Sequence, residues 1–307
     1  MAQPTTSPPA PPRPAPPAAA AGPVRRRSRR TSGHLWRHVF LLAMTAFAAF
    51  PVLFVVSAAL NPLGTLSSAQ LIPTGASAGN FVQLLTETRF PRWYLNSLVL
   101  AVSNAAATVF LSALAAYVFS RFRFAGRRAG LYGLLIIQMF PQFLAIVAIY
   151  LMFSTITDLR PEIGFDTHWG LLLVYMGGAL SINTWLMKGF FDTLPIELDE
   201  AARVDGATHA QMFFRILVPL VTPVLAIVGL LVFIATVNEF IMASVFLRDP
   251  DSQTVALGLA AMVADQRDSN FGMFAAGTLL LAIPVLAVFW YLQRFIVEGL
   301  TSGAVKG

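Results

Sequence analysis

LPIELDEAARVDGATHAQMFFRILVP, residues 194–219, interrupts two long apolar stretches. It carries Glu197, Asp199, Glu200 and Asp205, two arginines, Gly206 and a proline near each end. Pro195 suits a first helical turn, where a missing N–H costs nothing. Glu197, Asp199 and Glu200 gather at that positive helix end. Ala201 and Ala202 are small helix formers, and Gly206 after Asp205 predicts a left-handed stop. Thr208 with Gln211 predicts a capping box that opens a second helix. Met212, Phe213, Phe214, Ile216 and Leu217 make that helix apolar, and Pro219 marks the return to a span. The stretch reads as a helix–turn–helix lying under a bilayer. A solvated connector is the plain reading, but it calls for neither paired alanines nor an exposed Met-Phe-Phe run. The other reading is a docking knob for a cytoplasmic partner. Its small side chains admit a close surface, and its glycine fixes the angle, so that a push on the knob moves the next span as a lever.

The rest of the chain supports a membrane setting. Of 307 residues 56% are hydrophobic and 12% charged, with 25 Phe and a mean hydropathy of +0.68. A soluble domain carries roughly 25% charged residues. A helix needs about 20 apolar residues to cross the roughly 30 Å hydrocarbon core. Six stretches qualify, near 39–60, 94–119, 131–153, 169–187, 219–247 and 271–291. They are too long and too uniformly apolar for barrel strands. The expectation is an all-α polytopic membrane protein with six transmembrane helices. Spans 2 to 5 carry Asn96, Ser97, Ser103, Asn104, Gln138, Gln142, Asn183 and Asn238, whereas the first span is nearly all apolar. Small and polar residues suit helix packing, so spans 2 to 5 are expected to form the core, with the first span outside it.

Residues 1–33 read as a disordered Pro/Ala/Arg-rich tail that cannot build a core. A signal peptide is the other reading of its basic run and following apolar stretch. Residues 39–60 are long for that, and they favour an uncleaved first span. With the N-terminus in the cytoplasm, 16 of the 21 Lys and Arg fall inside and five outside. That bias puts both termini and the 194–217 element in the cytoplasm. It also accounts for the net charge of +6 without nucleic acid. RFRFAGRR, 121–128, reads as a stop signal and lipid-phosphate anchor. The domain reading is the tail 1–33, a permease domain 34–298 that includes a coupling element at 192–218, and a cytoplasmic tail 299–307.

The chemistry of catalysis is not written here. The chain has no cysteine, four scattered His, no G-x-x-x-x-G-K-[ST] loop and no recognisable catalytic constellation. Neither a bound cofactor nor a metal is expected, and energy must come from another subunit. Glu239 is the lone acid inside a span, so a proton-coupled carrier is the rival reading. Its place far along the fifth span, near Arg248, favours an interfacial or packing role.

The 200–219 stretch resembles the cytoplasmic motif of ABC importer permeases. Glu200-Ala201-Ala202 is followed after three residues by Gly206, and after nine more by Ile216 and Pro219. Val218 stands where the family has leucine. The resemblance covers about 35–307 and implies the type I ABC importer permease fold. It implies that Glu200, Ala201, Ala202, Asp205, Gly206, Ile216 and Pro219 form a coupling helix seated in a cleft of the ATPase. The ending QRFIVEGLTSGAVKG is similar to that of the maltose-type members. By that likeness Thr301, Ser302, Gly303, Lys306 and Gly307 reach between the ATPase subunits. The same resemblance implies that the 246–272 loop, with Asp251, Ser252, Gln253, Thr254 and Val255, enters the cleft of a sugar-binding protein. An ordinary extracytoplasmic loop is the alternative there. The implied partners are a MalK-like ATPase dimer using ATP and Mg, a MalF-like second permease, an extracytoplasmic sugar-binding protein and the bilayer of a bacterial plasma membrane. The implied cargo is maltose, maltodextrin or a related oligosaccharide, moved by alternating access; the alternative cargo is trehalose, another disaccharide or a glycerol phosphate.

Overall fold

A computed structural model describes residues 32–304, apart from 71, 73–74 and 266–269. The expected tail at 1–33 falls almost wholly outside that range, as do Lys306 and Gly307. The chain divides into two compact units, one ending at Ala49 and the other starting at Phe50. Among the described residues every regular element is helical.

Helix α1, Ser32–Leu60, begins in the first unit. There it exposes Trp36, Phe40, Leu42 and Phe47. Such a surface is costly in water and ordinary in lipid. In the second unit the order is α2 (Gly79–Glu87), α3 (Phe90–Arg121), α4 (Arg127–Met139), α5 (Gln142–Leu159), α6 (His168–Thr193), α7 (Glu197–Val204) and α8 (His209–Gln211). A π-helix (Met212–Leu217) follows, then α9 (Val218–Val237), α10 (Ile241–Phe246), α11 (Val255–Asp265) and α12 (Phe271–Ala304). Five helices are long and apolar enough to cross a membrane, and a sixth crossing exists if the bent pair α4–α5 is one span.

Three expectations change. The third span is two helices bent by 104°, not one rod. Pro141 lacks the N–H a continuing helix needs, and Phe140 before it is extended at ψ 129. The fifth span ends at Val237, and α10 restarts after a break at 238–240. The core is α3, α6 and α9 with α12, whereas α4 and α5 keep Ile136, Ile137, Leu144 and Leu151 exposed.

Two apolar clusters cap the core. At the end that carries residues 194–217, Ala113, Ala116 and Tyr117 of α3 meet Phe191, Ala202, Met212, Phe213 and Leu217. At the opposite end Ala58 and Ala59, the last turn of α1 in the second unit, meet Leu84, Phe90, Trp93, Val255 and Ala276. Between them Asn104 Nδ2 donates to Thr236 Oγ1 at 2.8 Å, a buried polar link between α3 and α9. Such links join helices where lipid offers no alternative partner.

Candidate functional site

The 194–217 element folds as its residues demand. α7 starts two residues after Pro195, whose carbonyl accepts the Leu198 N–H at 3.4 Å, so the proline precedes the first turn instead of lying in it. The three acids of the first turn are Glu197, Asp199 and Glu200. The helix closes on Gly206 at φ +77. Gly206 N donates to Arg203 O at 3.0 Å, and Ala207 N to Ala202 O at 2.9 Å. That pair of bonds is a Schellman stop, and it needs the left-handed conformation glycine adopts without penalty. Thr208 and Gln211 then form the reciprocal capping box, at 3.2 and 2.8 Å.

The second helix does not end at Pro219. Residues 209–237 run on as one helix, with a π-helical segment at 212–217. Val218 N donates to Phe213 O, five residues back. Pro219 has no N–H for Arg215 O, and its ring crowds that carbonyl, so a widened turn is the arrangement that admits it. The lever arm of the docking reading is therefore continuous with α9.

Which faces look outward differs from the sequence reading. Glu200, Ala201, Asp205 and Gly206 are exposed and Ile216 is half-buried, while Pro219 is exposed one turn further on. Ala202 is 5% exposed and packs against the element's own core. It thus serves the fold, not a partner's approach. Met212 and Phe213 are also buried, leaving Phe214 as the exposed member of the run, stacked near Phe110 with centroids 6.4 Å apart. The outward face of α7 is Glu197, Glu200, Ala201, Arg203 and Val204, a small, mixed-charge surface.

Sequence reasoning missed what holds this element. Arg121, the last residue of α3, puts Nε 2.7 Å from Asp199 Oδ2, with both side chains buried. Its Nη2 donates to Leu194 O at 3.0 Å. Tyr117 packs its ring on Phe213, with centroids 5.2 Å apart, and its hydroxyl lies 3.5 Å from His209 Nδ1. Phe122 packs on the His209 ring at 5.0 Å. Nearby, Arg127 Nε caps the α3 terminus through Phe119 O at 2.7 Å. So within RFRFAGRR two arginines serve the fold, while Arg123 and Arg128 remain exposed as an anchor requires. A signal for Asp199 existed: it lies three residues before Ala202, on the same helix face, and that face is the buried one.

The opposite end shows a built ledge where the sequence suggested a loop. Asp166, at φ +59, accepts the Arg248 and Asp249 N–H groups and lies 3.4 Å from Ser252 Oγ. Asn96 Nδ2 donates to Asp251 O and Gln253 O, both at 2.9 Å, and Trp93 Nε1 to Pro250 O at 2.9 Å. Ser97 Oγ accepts the Val255 N–H that opens α11. Ser252, Thr254 and Val255 are buried by this, at 8%, 3% and 0% exposure. Those three offer little surface to a partner, whereas Asp251 is exposed and Gln253 half-exposed. α12 continues helical through Thr301, Ser302 and Gly303, and the side chains of Thr301 and Ser302 lie outside the described residues.

Glu239 also acquires a role. It follows the end of α9, and its Oε1 accepts Met242 N at 2.8 Å while Oε2 accepts Ala243 N at 3.0 Å and the Tyr175 hydroxyl at 2.5 Å. It caps α10. The first N–H groups of a helix have no partner within it, and this carboxylate accepts two of them. That structural role answers the charge without a proton-carrying cycle.

Comparison with known proteins agrees with this architecture. Residues 72–298 match the family described as binding-protein-dependent transport system inner membrane component. The maltodextrin transport system permease protein MdxG of Bacillus subtilis is 39% identical over 88% of this chain and 95% of its own. MalG of Yersinia pestis, a maltose/maltodextrin permease, is 41% identical over 89% and 93%. The galactooligosaccharides permease GanQ of B. subtilis is 36% identical over 91% and 98%. Among solved structures, a bacterial ABC transporter that imports alginate superposes with a TM-score of 0.73 at 22% identity, covering 89% of this chain and 99% of that one. The chain belongs to the binding-protein-dependent transport family and is an inner-membrane permease component of the ABC type. Its similarity is to transport subunits.

Proposed function

We propose that this chain is the MalG-like permease subunit of an ATP-driven importer of maltose, maltodextrins or closely related oligosaccharides. The observation that carries the reading is identity of 39–41% to maltodextrin and maltose permeases along nearly nine-tenths of the chain. The outward face of α7 supports a docking role: Glu197, Glu200, Ala201, Arg203 and Val204 stand free on a helix whose other face is locked into the core. In this reading the 194–217 element lies in the cytoplasm with both termini, as the Lys and Arg distribution favours. It sits in a cleft of a MalK-like ATPase dimer, which uses ATP and Mg. A MalF-like permease completes the path, and an extracytoplasmic binding protein delivers the sugar, meeting Asp251 and Gln253 on the ledge. Closure of the ATPase dimer moves the element, and the continuous helix 209–237 carries that motion into the bundle. The binding protein drives the cycle only as far as it prefers the outward-open state.

Affinity purification of this chain from its native membrane in mild detergent, with partners identified by mass spectrometry, tests the assembly. An ATPase, a second permease and a binding protein recovered together support it. The chain recovered alone refutes it. The binding protein is then titrated with maltotriose and with galactobiose. Preference for the α-glucan supports the cargo proposed. Preference for the galactoside favours the reading that GanQ motivates.

A further inference from the structure

Arg121 is placed to do more than neutralise a buried acid. The 194–217 element is covalently joined to α6 and α9, but not to α3. Its charged tie to α3 is Arg121, which reaches both the loop that enters α7, through Leu194 O, and the inner face of α7, through Asp199, beside the weaker contact of the Tyr117 hydroxyl with His209. Arg121 and Asp199 are 8% and 2% exposed. Both Asp199 oxygens are buried and have no hydrogen-bond partner, so the ion pair with Arg121 is what balances the carboxylate among the described residues. Such a pair tolerates separation poorly, because parting it leaves two charges uncompensated in a low-dielectric site. Around it α3 is packed to both halves of the element: Ala113, Ala116 and Tyr117 share one apolar cluster with Ala202, Met212 and Phe213.

We infer that Arg121 is a positioning residue that makes α3 and the coupling element one rigid body, so that ATPase motion reaches α3 directly, in parallel with its passage along α9. The inference rests on the docking role proposed above. It adds a second output to it. α3 and α9 are themselves pinned by Asn104 and Thr236. With both helices driven from one end, the element turns the α3–α9 pair as a unit instead of bending α9 alone.

The test uses the complete complex purified with this chain, reconstituted in proteoliposomes with its binding protein. Arg121→Gln and Asp199→Asn remove the charge pair at nearly constant shape. Arg121→Asp combined with Asp199→Arg restores it reversed. Three quantities are measured: ATPase subunit retained per permease, ATP hydrolysed, and sugar taken up. The expected result is that each single variant retains its ATPase yet moves at least about tenfold less sugar per ATP hydrolysed, and that the reversed pair recovers at least half of the loss. The inference is overturned by a single variant that transports normally. It is equally overturned if uptake falls only in proportion to lost ATPase, which is what a merely structural pair predicts, or if the reversed pair recovers nothing while assembling normally. Should the unmodified complex contain no ATPase, the docking reading itself fails, and this inference with it, whatever the variants do.

Discussion

The bend of the coupling element is the feature most open to quantitative attack. Gly206 holds φ +77, and a Cβ built there meets nothing within 4 Å. Substitution therefore introduces backbone strain without a clash. For alanine the left-handed region costs roughly 1–2 kcal/mol. Asparagine, whose short side chain tolerates that region, costs less. Proline is confined to φ near −65° and also removes the N–H that bonds Arg203 O, so its cost is about 3 kcal/mol or more. These strains shift the local opening equilibrium of the bend, which exchange of the Ala207 amide reports, since that amide is held by Ala202 O. Gly206→Ala should speed exchange about 5- to 30-fold, Gly206→Asn a few-fold, and Gly206→Pro by more than about 100-fold. Hydrogen-exchange mass spectrometry on the peptide spanning 197–217, in detergent, measures all three. Transport should fall in the same order, with the proline variant inactive but inserted at normal levels. Equal exchange in Gly206→Ala and the parent refutes the strain argument, and asparagine behaving as badly as proline refutes its cause.

Ala202→Leu forces extra volume against Met212 and Phe213 and should destabilise by about 1–3 kcal/mol, read as a lower melting temperature of the purified chain. Ala201→Leu points outward and should leave that temperature unchanged, so any transport it loses measures partner docking. Glu239→Gln keeps a capping oxygen and should transport at close to the parent rate, whereas Glu239→Ala leaves the Met242 and Ala243 N–H groups without their acceptor and should lose about 1–3 kcal/mol. A dead but stable Glu239→Gln in an uptake assay argues for the proton-coupled reading instead. Asp166→Ala strips the acceptor from Arg248 and Asp249 N–H and should loosen the ledge, read as faster protease cleavage at 248–254 with the helices intact.

What the sequence made legible was what each residue does to its own stretch of helix. The Thr208–Gln211 capping box, the stop at Gly206 and the long apolar spans are all local, and all are present. The helix dipole accounts for Glu197 and Glu200 in the first turn of α7. Asp199 shares their chemistry but points the other way, and its partner Arg121 lies in a segment whose basic residues looked like one anchor. The ledge was hidden for the same reason: Trp93 and Asn96 hold carbonyls 157 residues away. Pro141 is visible in the sequence, but the largely apolar run around it is long enough to span and so resembles one helix.

The polar residues of the spans make a more general point. By type they suit helix packing. In the fold Asn96 serves the carbonyls of Asp251 and Gln253, Ser97 the Val255 amide, Gln138 the Gly178 carbonyl, Asn183 that of Ala179, and Asn238 that of Ile234. Glu239 does the same for α10, and Thr167 for the start of α6. Asn96, Ser97, Asn238, Glu239 and Thr167 serve backbone groups at chain breaks and Gln138 joins two helices, whereas Asn183 bonds back within α6. Most of them therefore mark where the backbone departs from a simple rod. Asn104 with Thr236 joins side chain to side chain across two helices, and it ties together the two on which the proposed coupling element acts.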